Sequence, residues 1–318
     1  MKKINVLYTL DHKYVKYMLV SLYSLLENNK DIDITIHIIC DKFEIEDYKI
    51  IESIISEFKN TNVFFYNFQK IENIIDEYNI SSWRDKKIPN ARLFFNVYIK
   101  ESENLLYLDS DTIILNSLKG LKNYQGTISM VQDSMPKSHY QNLSIPLKKY
   151  YNSGVLWIDI KKWQENDCNN KIREILKENI PYIFPDQDII NMALKDEIKA
   201  LPPEYNLFSI DSYFSLPLLF RYYNHYDIER YSKEELKQAR NNPIILHSTP
   251  FYYWNGWQKK AIHPYLKYYK EYFSKLNMDL DIDENLIKKN PFLFKLFLYL
   301  KLMCPKEIKE KIKEYIKK

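Results

Sequence analysis

Asp109-Ser110-Asp111 follows directly on the apolar run Asn104-Leu105-Leu106-Tyr107-Leu108. In extended backbone, side chains two residues apart share a side. Two carboxylates therefore stand together at the carboxyl end of a strand, where they can share one cation. Paired hard oxygen donors suit Mg²⁺ or Mn²⁺ held with a diphosphate, whose charge on departure the metal neutralises. His247 ends a second apolar run, Ile244-Ile245-Leu246, with Ser248 and Thr249 beyond it. An isolated histidine is more often structural than a ligand. If it meets Asp109 and Asp111, the mixed imidazole and carboxylate set shifts preference from Mg²⁺ toward Mn²⁺.

Two further stretches stand out. Tyr151-Asn152-Ser153-Gly154 leads into a strand ending near Ile160, and Gly154 is one of only four glycines in the chain. Such a glycine marks close approach by a ligand or another chain, or else a β-bulge. Pro185-Asp186-Gln187-Asp188 opens a helix, with Asp186 as its expected N-cap and the next two side chains near the positive helix end. Capping accounts for Asp186 but not for Gln187 and Asp188.

The elements that must position these groups alternate. The pattern predicts strand Ile4 to Thr9, helix Tyr14 to Leu26, strand Ile34 to Cys40, helix Ile45 to Phe58 and strand Val63 to Tyr66. It then predicts a helix from Asn90 to Tyr98, strands at Leu105 to Leu108, Thr127 to Val131 and Gly154 to Ile160, and helices near Asn169 to Glu178 and Asp186 to Leu194. A last core strand, Pro243 to Leu246, delivers His247 at its end. A β-α-β-α-β opening implies parallel strands with crossover helices, and ligands then gather beyond the carboxyl ends of the strands. The loop Leu10 to Lys13 is the first such place.

Composition narrows the class. At 318 residues, 46% hydrophobic and 28% charged, the chain can bury a large core and is neither disordered nor dominated by membrane spans. With four glycines, neither a G-x-G-x-x-G turn nor a Gly-x4-Gly-Lys-Ser/Thr phosphate loop can be written. The missing phosphate loop also argues against a metal-dependent nucleotidyltransferase. Three dispersed cysteines form no disulfide framework and point to a reducing cytosol. The start, Met1-Lys2-Lys3 before Ile4, loses its apolar run at Asp11 and reads as a first strand rather than a signal peptide. The 28 tyrosines accompany many Ile, Asn and Lys, as A/T-rich codon usage produces, and carry little functional information.

In their order along the chain, Asp109-Ser110-Asp111, Tyr151-Asn152-Ser153-Gly154-Val155-Leu156 with Asp159 and Lys161-Lys162-Trp163, and Asp186-Gln187-Asp188 with Asn191 resemble family 8 glycosyltransferases, the galactosyltransferase and glycogenin-like enzymes. Tyr8-Thr9-Leu10-Asp11 with Tyr14, and Ala91-Arg92-Leu93, extend the resemblance over most of residues 4 to 260. It implies an α/β GT-A fold: one Rossmann-like domain, residues 1–280, with a mixed, mainly parallel sheet flanked by helices. It further implies a UDP-hexose donor, glucose or galactose, with Mn²⁺ (Mg²⁺ as the alternative) and retention of anomeric configuration. Carried over by position, Thr9 and Asp11 would hold uracil with Tyr14 in support, and Arg92 would steady donor sugar and diphosphate. Asp109, Asp111 and His247 would ligate the metal, with Ser110 between the two acids on the donor. Asn152, Ser153 and Gly154 would line the sugar pocket, Asp186 would take sugar hydroxyls, and Asp133 would contact the sugars. Gln187 would lie beneath the anomeric carbon, where its carbonyl stabilises an oxocarbenium-like transition state in a front-face reaction; Asp188 is the competing nucleophile of a double displacement.

One departure falls after His247. The family generally carries a Gly and then a diphosphate-binding Lys ahead of Pro-Trp, and here Pro250 and Tyr253 occupy those places. Either a longer loop brings Lys259 or Lys260 to the phosphates, or phosphate binding depends more on the metal. The altered segment also leaves open a degenerate sugar-nucleotide or glycan-binding protein without transferase activity.

The tail differs from the body. Residues 285–318 hold ten Lys and three Glu, a charge of +7 against +4 for the whole chain, so the remainder is acidic and a uniformly basic nucleic-acid-binding body is not expected. Pro291 to Cys304 is apolar but broken by Lys295 and Lys301 and is too short to span a bilayer. A basic amphipathic helix over 281–318 suits an anionic membrane surface; packing on the chain's own body or on a second subunit is the other reading. The expected setting is the inner face of a bacterial cytoplasmic membrane, with a saccharide, glycolipid or glycoprotein as acceptor.

Overall fold

The computed structural model describes residues 2–249 and 263–279. Lys259, Lys260 and the tail from 281 onward lie outside the described residues.

A seven-stranded sheet forms the centre. Its strands are β1 (Lys3–Asp11), β2 (Asp33–Asp41), β3 (Thr61–Asn67), β4 (Asn104–Leu108), β6 (Ile128–Gln132), β7 (Tyr151–Asp159) and β8 (Ile198–Ala200), in the order β3-β2-β1-β4-β7-β6-β8. All run parallel except β7, which is antiparallel to both β4 and β6. Strand β1 is buried at every position after Lys3, which is why it reads as a near-continuous apolar run. Alternate side chains go to opposite faces: Val6, Tyr8 and Leu10 enter one hydrophobic cluster and Leu7 the other. Helices α1 (Val15–Glu27) and α2 (Ile45–Ser56) cover the first face. Helix α3 (Gln69–Glu77), the segment Ile88–Val97, and helices α4 (Lys137–Gln141), α5 (Ile160–Glu165), α6 (Cys168–Leu176) and α7 (Pro185–Ala193) cover the second.

A second sheet of three strands, β5 (Thr112–Ile114), β9 (Leu207–Phe208) and β10 (Ile245–His247), runs in the order β5-β10-β9. Helices α8 (Ser209–Tyr213), α9 (Leu216–His225) and α10 (Lys233–Asn241) lie between β9 and β10 in sequence, and α11 (Leu266–Lys275) packs on this sheet through Tyr269 and Phe273.

Three expectations are corrected. The strand carrying His247 belongs to the small sheet, and His247 is its last residue rather than the residue after it. The helix expected over Asn90 to Tyr98 is a run of 3₁₀ turns, Ile88–Val97, broken at Phe94 (φ −122°, ψ 25°). Here Arg92 Nε donates to the Pro89 carbonyl, so a side chain competes for a backbone acceptor within the segment. Asp186 is not the N-cap of α7: Phe184 is, because Pro185 fits the first helical position with no N–H to lose.

Candidate active site

Topology locates the site. Strand order reverses between β1 and β4, so the loops after these two strands open a crevice at the carboxyl edge of the sheet. A cleft of about 600 Å³ lies there.

Asp109 leaves β4 with its N–H bonded to the Gly154 carbonyl at 2.8 Å, and the chain turns at once into β5, Thr112 N–H reaching Asp109 O at 3.2 Å. Strand β10 pairs antiparallel with β5, with His247 opposite Thr112, and Ser248 N–H bonds Asp111 O at 2.9 Å. That register, and not any local motif, carries the imidazole to the acid pair. His247 Nε2 lies 3.3 Å from Asp111 Oδ1 and 3.6 Å from Asp109 Oδ2. One donor atom from each of the three residues falls within 4.8 Å of the others. Two carboxylate oxygens and an imidazole nitrogen converging in this way fit a divalent ion such as Mn²⁺. Burial would lower the pKa of His247, but the carboxylates of Asp111 and then Asp109 more than reverse this and raise it.

Gly154 is explained by the same cluster. A Cβ at this position would overlap His247 Cε1 and lie 2.7 Å from Asp109 Oδ2. The close approach expected of this glycine is thus made by the Asp109, Asp111 and His247 cluster itself.

Arg92, 6% exposed, sits beside it. Its guanidinium reaches Asp109 Oδ1 at 2.8 Å and Asp186 Oδ2 at 3.1 Å, donates to Ser153 O at 2.7 Å and stacks on the Tyr107 ring at 4.4 Å. Burial acts to lower its pKa; Asp109 and Asp186 override that, and the group stays charged. Asp186 has a raised pKa, chiefly from burial, with Arg92 and the 2.8 Å bond from Ser153 Oγ opposing. Tyr107 donates to Asp109 at 2.7 Å and meets Thr9 Oγ1 at 3.2 Å, which links β1 to the acid pair.

The floor is an amide network. Gln187 Oε1 accepts from Ser153 N–H at 2.9 Å and Asn152 Nδ2 at 3.1 Å, while Gln187 Nε2 donates to Asp133 Oδ2 at 3.2 Å. Asn191 clamps α7 to β7 through both the N–H and the carbonyl of Tyr151, each at 2.8 Å.

Thr9, Tyr14, Arg92, Asp109, Ser110, Asp111, Asp133, Asn152, Ser153, Asp186, Gln187 and His247 line one cleft. Asp11, Gly154 and Asp188 do not. Asp11 is buried behind it, with Oδ2 bound by Lys86 at 2.6 Å and Oδ1 unpartnered among the described residues. Asp188 is wholly buried and accepts from Tyr150, from His139 Nε2 at 2.9 Å and from Phe184 N–H at 3.0 Å.

Several lining residues carried no signal in the sequence. Trp83 and Arg84 line the cleft from a two-residue hairpin, where Arg84 (φ 50°) and Asp85 (φ 62°) are both left-handed; Trp83 packs on Phe184, another lining residue, at 5.0 Å. Asn206, which is buried and bonds His247 Nδ1 rather than lining the cleft, carried no signal either.

The comparisons with known proteins agree with this architecture. A lipopolysaccharide 1,2-glucosyltransferase of Escherichia coli K12 is 27% identical over 297 residues, which covers 84% of this chain and 76% of that protein. The crystal structure of the galactosyltransferase LgtC with donor and acceptor sugar analogs superposes with a TM-score of 0.65 at 17% identity, covering 87% of this chain and 97% of that one. The bifunctional glycosyltransferase WbbM superposes at 0.69 with 14% identity, covering 94% of this chain and 52% of that one. The fold is GT-A, as the resemblance implied. With residues 5–259 matching the model of that family, the chain belongs to glycosyl transferase family 8.

Proposed function

We propose that the protein is a retaining, metal-dependent hexosyltransferase that moves glucose or galactose from a UDP-sugar to a saccharide or lipid-linked acceptor in bacterial cell-surface glycan assembly. The observation that carries this reading is the convergence of Asp109, Asp111 and His247 beside Arg92 at the edge of the cleft. The E. coli relative's name, a lipopolysaccharide glucosyltransferase, supports a surface-glycan acceptor.

A Mn²⁺ bound by these three residues would neutralise the diphosphate as it leaves. The chain's own groups do the rest. Thr9 and Tyr14 line the cleft where uracil would lie, and Asp11 stands behind them with its Oδ2 held by Lys86, so that it would support that pocket from beneath. Asp186 and Asp133 offer carboxylate oxygens to sugar hydroxyls. Gln187, fixed by Ser153, Asn152 and Asp133, holds its amide dipole against the face opposite the leaving group. The burial of Asp188 and its three donors favour a front-face reaction, in which the departing phosphate takes the proton of the acceptor hydroxyl. Lys259 remains the candidate cation for the diphosphate from outside the described residues. The acidic body and basic tail support attachment at the inner membrane face, and among the described residues no helix is long and apolar enough to cross a membrane.

Incubation with UDP-glucose or UDP-galactose and Mn²⁺ tests the reading. Slow, metal-dependent UDP release with an α-configured product is expected. Pyrophosphate release, or donor binding with no turnover under any acceptor mixture, overturns it.

A further inference from the structure

Asn206 is completely buried and stands just before β9, which runs beside β10 with Phe208 opposite His247. Its Oδ1 lies 2.9 Å from His247 Nδ1, and its Nδ2 donates to Asn152 Oδ1 at 2.9 Å. Asn152 Oδ1 also accepts from Gly154 N–H at 3.0 Å, so the Asn152 amide group must face the other way, where it donates to Asp133 Oδ2 at 2.8 Å and Gln187 Oε1 at 3.1 Å.

An amide oxygen only accepts. His247 Nδ1 therefore carries the hydrogen in this pair, and Nε2, the nitrogen facing Asp109 and Asp111, is left for a metal. The same amide, through its N–H, fixes which end of Asn152 meets the sugar-facing groups. We infer that Asn206 is a positioning residue that couples the metal centre to the donor-sugar floor, setting the histidine tautomer through its oxygen and the Asn152 orientation through its nitrogen. The inference rests on the metal reading above and adds to it a single amide that both subsites depend on.

The two halves of that amide can be removed separately. Asn206→Asp keeps an acceptor for His247 but cannot donate to Asn152, which must then turn its own amide nitrogen toward the new carboxylate and its oxygen toward Gln187 and Asp133. Asn206→Leu removes both functions in nearly the same volume. Mn²⁺ binding is measured without nucleotide by electron paramagnetic resonance of the free ion, and UDP and UDP-hexose affinities by calorimetry. Asn206→Leu should bind Mn²⁺ about 10- to 100-fold more weakly, the usual cost of losing an outer partner of a ligating histidine. Asn206→Asp should hold Mn²⁺ within about threefold of the parent, since a carboxylate partner also serves a ligating histidine, yet lose the preference of the parent for UDP-hexose over UDP. A role in packing alone predicts that both variants lose melting temperature with neither binding constant separated from the other, and that result overturns the coupling. So does parental Mn²⁺ affinity in folded Asn206→Leu. If the leucine variant does not fold, Asn206→Asp decides alone: an unchanged sugar preference refutes the inference. Failure of the parent protein itself to bind Mn²⁺ sinks the metal reading instead.

Discussion

Gly154 and His247 are mutually exclusive with any larger residue at position 154: the imidazole Cε1 occupies the space a Cβ would need, and Asp109 Oδ2 lies 2.7 Å from the same point. Because the ring is pinned by Asn206, it cannot simply swing aside. Gly154→Ala should therefore displace the ligand set and weaken Mn²⁺ binding by at least about tenfold, the scale seen when a ligating histidine loses its fixed orientation. Resonance titration of free Mn²⁺ checks this, and parental affinity in the alanine variant contradicts it.

The two aspartates should not behave alike. Loss of either should abolish turnover if the metal reading holds, but Asp109 also pairs with Arg92 and accepts from Tyr107, whereas Asp111 bonds no buried arginine among the described residues. Asp109→Ala leaves Arg92 with Asp186 as its remaining carboxylate partner. It should cost about 1–3 kcal/mol, the penalty of stripping a hydrogen-bond partner from a buried group. Asp111→Ala removes a carboxylate only from His247 and should cost less than Asp109→Ala. Urea unfolding of the two variants side by side measures the difference; equal midpoints refute it.

Asp188 should act on structure and not as a nucleophile. Removing its charge in Asp188→Asn weakens the bonds from His139 and Phe184 N–H that hold the first turn of α7. A loss of about 1–3 kcal/mol is expected, with slower turnover because Gln187 sits on that turn. Mass spectrometry of protein incubated with a slow fluorinated donor is the decisive measurement. A hexose covalently attached to a peptide containing position 188 would restore double displacement.

Acid stability follows from two buried histidines outside the Asp109, Asp111 and His247 cluster. His37 and His263 are both pushed down to about 4, chiefly by burial. In the unfolded chain they titrate near 6.5, so between these values the unfolded state binds protons that the folded state refuses. Their contribution is complete above pH 6.5 and is lost progressively toward pH 4, at up to about 3 kcal/mol each. Melting temperature in metal-free buffer should fall over this window, and His37→Gln should fall less steeply. Parallel curves for the parent and the variant would remove His37 from the account.

The sheet was legible where burial is two-sided. β1 and β2 are apolar runs bounded by charged residues, and their positions match expectation within two residues at either end. The acid pair was legible because strand and carboxylates adjoin in sequence. His247 was a candidate only, since its meeting with Asp111 depends on the β10–β5 register, which no local pattern encodes. Asn206 could not be found at all: it ends a proline-rich 3₁₀ turn and looks like any turn asparagine until the fold brings β9 beside β10. The misplaced cap at Asp186 has a local cause, Pro185, which moves the helix start one residue earlier and frees the carboxylate for Arg92 and Ser153.

The small sheet has a consequence for biosynthesis. β5 is made soon after the acid pair, but its partners β9 and β10 come from much later in the chain. During translation, which delivers the amino-terminal strands first, the growing polypeptide displays its two acids for a long interval without the imidazole that completes the set. On the metal reading, competence toward a divalent ion would arrive as one late docking event, and a ribosome-bound fragment ending before residue 245 should be catalytically silent however well its central strands have assembled.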